Sequence, residues 1–215
     1  HNFCTVELSA FYFDIRKDAL YCDAPDSQRR RACRTVLDTL YDCLVKWLAP
    51  FACFTAEEAW LERHPESGAS VHLEQFPDIP AAWRDDVLAE KWTKIRAVRR
   101  VVTGALEKER AAKRIGASLQ AHPQVWAPAD MIEAVKDHHL DDICITSGIT
   151  VTEGVPPAEA YVLPEVPGVG VVVETATGEK CLRCWKVLPD VGSHSHAGVC
   201  GRCDEAVDVI APASA

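Results

Sequence analysis

The chain has 215 residues, is 48% hydrophobic and 26% charged, and carries a net charge of −9. That balance excludes a disordered tail and allows one large or two small packed domains. No stretch approaches the roughly 18 unbroken apolar residues of a membrane span, and residues 1–7 lack a basic stretch leading into an apolar one, so a soluble, unsecreted protein with no membrane partner is expected; a cytoplasmic location, which fits the cysteine usage below, and a monomeric state are expected beside it. The chain starts at His1 and its one methionine is Met131, which reads as a fragment of a longer product.

Charge is uneven along the chain. Residues 36–90 hold three basic and eleven acidic side chains, whereas residues 91–114 hold nine basic and two acidic. Cysteine is uneven too. Cys4, Cys22, Cys33, Cys43, Cys53 and Cys144 are scattered, as buried thiols of a reducing compartment would be, and Cys181, Cys184, Cys200 and Cys203 cluster as two CxxC pairs.

In chain order, residues 5–22 carry apolar side chains on a helical period and stop at the turn cluster 23–26. A second helix runs over 27–49, with Val36, Leu37, Leu40, Cys43, Leu44 and Trp47 on one stripe, and Pro50 ends it. Thr55 and Glu58 have the spacing of a capping box and open a third helix to residue 63. Residues 65–82 read as a surface connection. A long helix over 83–113 has Leu88, Trp92, Ile95, Val98, Val102 and Leu106 as its apolar seam and Gly116 as its cap; Arg96, Arg100, Arg110 and Arg114 share a face beside that seam. Short strands are expected at 118–126, 143–147, 160–163 and 169–174, with a helix at 129–138. The fold class is mainly α: a helical bundle (1–114), a small α+β module (115–175) and a four-cysteine zinc knuckle (176–210).

The spacing Cys181-x2-Cys184-x15-Cys200-x2-Cys203 is that of a tetrahedral structural zinc site, each CxxC turn aiming two thiolates at one point. His194 and His196 lie in the loop between the pairs as possible competing ligands, but four cysteines fill the site and leave no open catalytic position. A pair of redox CxxC motifs is the weaker alternative, since neither opens a helix in a βαβ unit. Arg183, Trp185, Lys186 and Arg202 flank the ligands; cations with an aromatic suit RNA backbone and base stacking, and suit a solvated rim equally. No residue is assigned a catalytic role: there is no Walker loop, HExxH, GxSxG or convincing Cys–His pair. His138 and His139 read as partners of a helix C-terminus, and Asp141 and Asp142 as a loop pair.

Several stretches together carry a resemblance: 9–23 (Ser-Ala-Phe-Tyr-Phe-Asp-Ile-Arg-Lys-Asp-Ala-Leu-Tyr-Cys-Asp), 48–60 (Leu-Ala-Pro-Phe-Ala-Cys-Phe-Thr-Ala-Glu-Glu-Ala-Trp), 70–73, 115–121, Cys-Leu-Arg-Cys-Trp at 181–185 and Cys-Gly-Arg-Cys at 200–203. In this order they resemble the C-terminal third of bacterial isoleucyl-tRNA synthetases. The resemblance implies an anticodon-binding bundle, a junction module and a zinc-binding end that helps hold tRNA(Ile). It also implies a catalytic core on the same polypeptide, binding ATP and isoleucine, whose signature motifs and editing domain are not in these residues. The tRNA-binding set expected from it and from the basic face is Arg96, Arg100, Arg110, Arg114, Arg183, Trp185 and Arg202. Two rival readings stand beside it. One is a zinc-ribbon nucleic-acid module of another kind, since the knuckle also resembles that of formamidopyrimidine-DNA glycosylase. The other is a purely structural end docking on the core.

Overall fold

A computed structural model describes residues 1–66 and 68–210. By compactness the chain divides into two units, one of residues 1–25 with residues from 86 onward, the other of residues 26–85.

In the first unit, the helix expected at 5–22 is two pieces: a π-helix, Phe3–Phe13, with wide i→i+5 turns, running into α1, Asp14–Cys22. After residue 85 comes α4, Asp86–Ala111. Its seam turns Ile95, Val98, Val101, Val102, Ala105 and Leu106 inward, all at most 3% exposed, so a burial worth about 2 kcal/mol per large side chain accumulates along one stripe. Leu88, assigned to that seam by spacing, faces outward, and Val101, not assigned, is fully buried. The helix does not stop at Gly116. Lys113 adopts a left-handed φ of 59°, and the Lys113 and Arg114 amides donate to the Arg110 and Glu109 carbonyls, both at 3.0 Å. This is a Schellman stop with lysine where glycine is usual.

The apolar face of α4 packs on a four-stranded sheet of order β2-β1-β4-β3, made of β1, Ala121–Ala127, β2, Thr150–Glu153, β3, Tyr161–Val162, and β4, Gly170–Thr175. β1 runs parallel to β2 from Gln124 onward and antiparallel to β4. Pro123 therefore falls where β1 has a neighbour on one side only, a place that tolerates its missing N–H. Helices α5, Ala129–Val135, and α6, Leu140–Cys144, add Ala134, Val135, Leu140 and Ile143 to the same core. The strand expected at 143–147 is absent: its apolar run is the end of α6, closed by Ile145 at φ 58°, and the strand lies a few residues later as β2. The apolar run is short, and periodicity alone does not separate a strand from a buried helical turn.

The second unit holds α2, Gln28–Leu48, and α3, Cys53–Arg63, with a single turn at Val71–Leu73. Ser27 caps α2, its hydroxyl accepting from the Arg30 amide at 3.4 Å. The expected Thr55 capping box is absent. α3 begins three residues earlier, with Ala52 at the capping position and no side-chain cap, so Thr55 stands inside the first turn. The core of this unit is Val45, Ala49, Ala56, Trp60 and Val71; Val36 and Trp47, placed on the buried stripe of α2 by spacing, are exposed. Among the described residues no helix is long and apolar enough to cross a membrane.

Candidate metal centre and basic face

The knuckle is a hairpin of β5, Glu179–Lys180, and β6, Val187–Leu188, followed by a long loop and α7, Gly201–Ile210. In the first CxxC turn the Cys181 amide donates to the Lys186 carbonyl at 2.9 Å and the Trp185 amide to the Cys181 carbonyl at 3.0 Å. The turn closes because Trp185 takes a φ of 67°. The second pair sits at the start of α7, where the Asp204 amide donates to the Cys200 carbonyl at 2.9 Å. Asp190 reaches across to accept from the Gly201 amide at 2.8 Å, tying the loop to the helix start. That amide, with His194 at 3.0 Å, holds the Asp190 carboxyl below its ordinary range.

All four sulfurs, buried, lie within 4.8 Å of one another. Zn–S bonds of about 2.3 Å in a tetrahedron put sulfurs about 3.8 Å apart, and Cys184 and Cys200 are separated by 3.8 Å. The hydrogen bond from Cys203 lowers the pKa of Cys184, while burial raises that of Cys200. The donor set, spacing and enclosure fit one structural zinc with no open coordination position. His194 and His196 are not competitors, being held on Asp190 and Asp208 at 3.0 and 2.9 Å. Two of the scattered cysteines behave as packing thiols, with burial pushing Cys22 up to about 11 and Cys144 up to about 12.

The cations around the ligands reach back into the protein body. Arg183 donates to the Cys22 carbonyl and, at 3.2 Å, to the Tyr21 carbonyl, at the C-terminal end of α1. Arg202 pairs with Asp18, at 2.8 Å for one of its two bonds, and with Asp23 at 3.1 Å. Lys186 bridges Asp141 and Asp142 at 2.6 and 2.8 Å. These two aspartates are therefore not a free loop pair but the start of α6 and an anchor for the knuckle. Burial opposes the charge on Lys186, yet the two carboxylates outweigh it and raise its pKa. Spacing gave no hint of this clamp, because Arg202 and Asp18 are 184 positions apart. Trp185 points out, 59% exposed, with the Lys180 ammonium 5.4 Å from its ring centre.

On α4, Arg96 makes a two-pronged pair with Glu7, at 2.5 and 3.2 Å, and lies over the Phe11 ring at 4.5 Å. Arg110 is shared between Glu107 and Ser118, the latter at 2.8 Å, and Arg114 pairs with Glu109 across the helix stop. Arg100 is exposed and has no side-chain partner among the described residues. His138, expected to serve a helix C-terminus, instead packs on Trp92 with ring centres 5.5 Å apart. Its Nε2 is buried without a partner, and burial, then Lys91, lowers its pKa.

The fold and site define a four-cysteine metal knuckle clamped to α1 and α6 in a protein whose longest helix, α4, carries a row of arginines. A model of the anticodon-binding domain of tRNA ligase matches residues 1–125, and a model of the zinc finger found in FPG and IleRS matches residues 178–206. The chain belongs to the tRNA-ligase anticodon-binding family. It is 59% identical over 207 residues to the isoleucine–tRNA ligase of Ruegeria pomeroyi, covering 96% of this chain and 21% of that protein. It is 57% identical over 193 residues to that of Brucella abortus, and 55% over 193 to that of Bartonella henselae, in each case covering 89% of this chain and 20% of the relative. The resemblance to isoleucyl-tRNA synthetases is thus borne out, and the chain spans about a fifth of the length of these relatives rather than a third.

Proposed function

We propose that the chain is the C-terminal tRNA-binding region of an isoleucine–tRNA ligase, positioning the anticodon stem of tRNA(Ile) while a catalytic core on the same polypeptide binds ATP and isoleucine and charges the distant acceptor end. The observation that carries this reading is the joint match of the anticodon-binding and zinc-finger families on one chain. In this reading the roles divide as 1–114 for the anticodon-binding bundle, 115–175 for the junction and 176–210 for the knuckle, a division by role that compactness cuts across. Cys181, Cys184, Cys200 and Cys203 each give one thiolate to zinc, whose bound charge holds the knuckle folded. The whole enzyme is cytoplasmic and monomeric.

Arg96, Arg100, Arg110 and Arg114 line the RNA side of α4, with Arg183, Trp185 and Arg202 at the knuckle. Arg100 and Trp185 touch RNA directly, since they are exposed; the others act while held by their own carboxylates and carbonyls, which orient the guanidiniums at a cost in free charge. Binding of tRNA should therefore be salt-dependent, with a slope falling by about one unit per phosphate contact removed. The test is titration of tRNA(Ile), an unrelated tRNA and duplex DNA at several salt concentrations. Duplex DNA binding as tightly as tRNA would point to a different zinc-ribbon module. One observation favours the second, purely structural reading: five of the six arginines are engaged inside the protein. Changing Arg96, Arg100, Arg110 and Arg114 to Glu with no loss of tRNA affinity in the full-length ligase would establish it.

A further inference from the structure

We propose that the apolar tip joining α2 to α3 is the face on which the 26–85 unit docks against the body of the ligase outside these 215 residues. This rests on the proposed reading of the chain as one part of a longer ligase. The ten residues 47–56, Trp-Leu-Ala-Pro-Phe-Ala-Cys-Phe-Thr-Ala, contain no charged side chain in a protein that is 26% charged. At their centre Phe51 is 88% and Phe54 93% exposed, with Trp47 and Leu48 exposed beside them. Each exposed ring offers on the order of 150 Å² or more of apolar surface. Side chains of this kind gathered at one turn mark a contact surface rather than the scattered exposure normal for a soluble protein. The same turn carries the start of α3, with Ala52 at the capping position and no side-chain cap, so its first-turn amides have no intrahelical partner.

Charge selects the occupant. The 26–85 unit holds seven basic and ten acidic side chains, but four of its arginines, at 29–34, stand at the start of α2, and the stretch flanking the tip, 36–66, holds two basic and six acidic side chains, which repels phosphate and disfavours both RNA and an anionic lipid surface. An apolar protein face with a few backbone acceptors fits, and curated relatives extend about five times the length of this chain. The body of the ligase is therefore the covering partner.

The experiment compares amide hydrogen exchange over 47–56 in the 215-residue chain and in the full-length ligase. Exchange slower by about tenfold or more in the ligase without tRNA is expected. In the ligase, the double change Phe51→Ser and Phe54→Ser should remove that protection and speed proteolysis at the tip, while the 215-residue chain carrying it melts where the parent does and binds tRNA with unchanged affinity. Equal exchange in the two proteins overturns the proposal. So does protection already complete in the 215-residue chain, protection that appears only with tRNA, or protection that tracks self-association in sedimentation. Loss of tRNA binding by the parent chain would instead count against the proposed function, so the two failures are told apart.

Discussion

Single residues reveal where the backbone carries strain and where the solvent has been removed. Lys113 occupies a left-handed position, φ 59°, that glycine would fill without the Cβ penalty. Lys113→Gly is therefore expected to raise the free energy of unfolding by about 0.5–1 kcal/mol in denaturant titration. Gly178 is the opposite case: at φ 114° an added Cβ would lie 2.2 Å from the Leu188 carbonyl oxygen. Gly178→Ala should cost about 2–4 kcal/mol and weaken the β5–β6 hairpin, seen as a midpoint at higher metal concentration in metal titration. His138 gives a pH dependence of definite sign. Its pKa is lowered in the fold, so the neutral ring is favoured there. Its contribution to stability is present above the unfolded value near 6.5 and is lost as pH falls below it. An NMR titration of the His138 ring with its midpoint at or above 6.5 would contradict this.

At the level of elements, the knuckle and the end of α1 are one mechanical unit. Arg183 caps the α1 carbonyls, Arg202 holds Asp18 and Asp23, and Lys186 holds α6. Zinc binding by so small a unit is also folding, on the order of 10 kcal/mol or more. Chelation should therefore unfold residues 175–207 and, through the clamp, loosen the last turn of α1 at 18–23 while α4 and its sheet stay folded. Amide exchange at 18–23 that ignores chelation would show the clamp to be idle. Removing the buried cation without the metal makes a finer probe. Lys186→Met leaves two carboxylates facing apolar surroundings and should cost about 2–4 kcal/mol, measured by thermal unfolding of the zinc-loaded protein.

For the whole molecule, the proposed tRNA contact depends on which charges remain free. The surplus at 91–114 looks from composition like an open basic stripe, yet Arg96, Arg110 and Arg114 each have a carboxylate partner. Exposed pairs of this kind are worth about 0–1 kcal/mol, so RNA phosphates can compete for them cheaply, whereas Arg100 has nothing to release. Arg100→Glu is accordingly expected to weaken tRNA binding more than Arg114→Glu, by roughly one contact of about 1 kcal/mol, in the same salt titrations.

Much of this was legible from local pattern. The four-cysteine site needs only two CxxC turns, a chemistry written in spacing, and the α4 seam needs only a 3.6-residue period, so both could be read along the chain, the seam with errors at Leu88, Val101 and Ala105. Helix starts and short apolar runs were less legible: α3 opens at Cys53 without its capping box, and residues 143–147 end a helix, because a few residues of pattern do not outweigh what packs against them. Long-range pairing was not legible at all. Arg183, Arg202 and Lys186 sit beside the ligands in sequence as plausible RNA contacts, and nothing local says that they reach Tyr21, Asp18 and Asp141. A cation's partner is whichever carboxylate or carbonyl the fold brings within about 3 Å, and folding alone decides which that is.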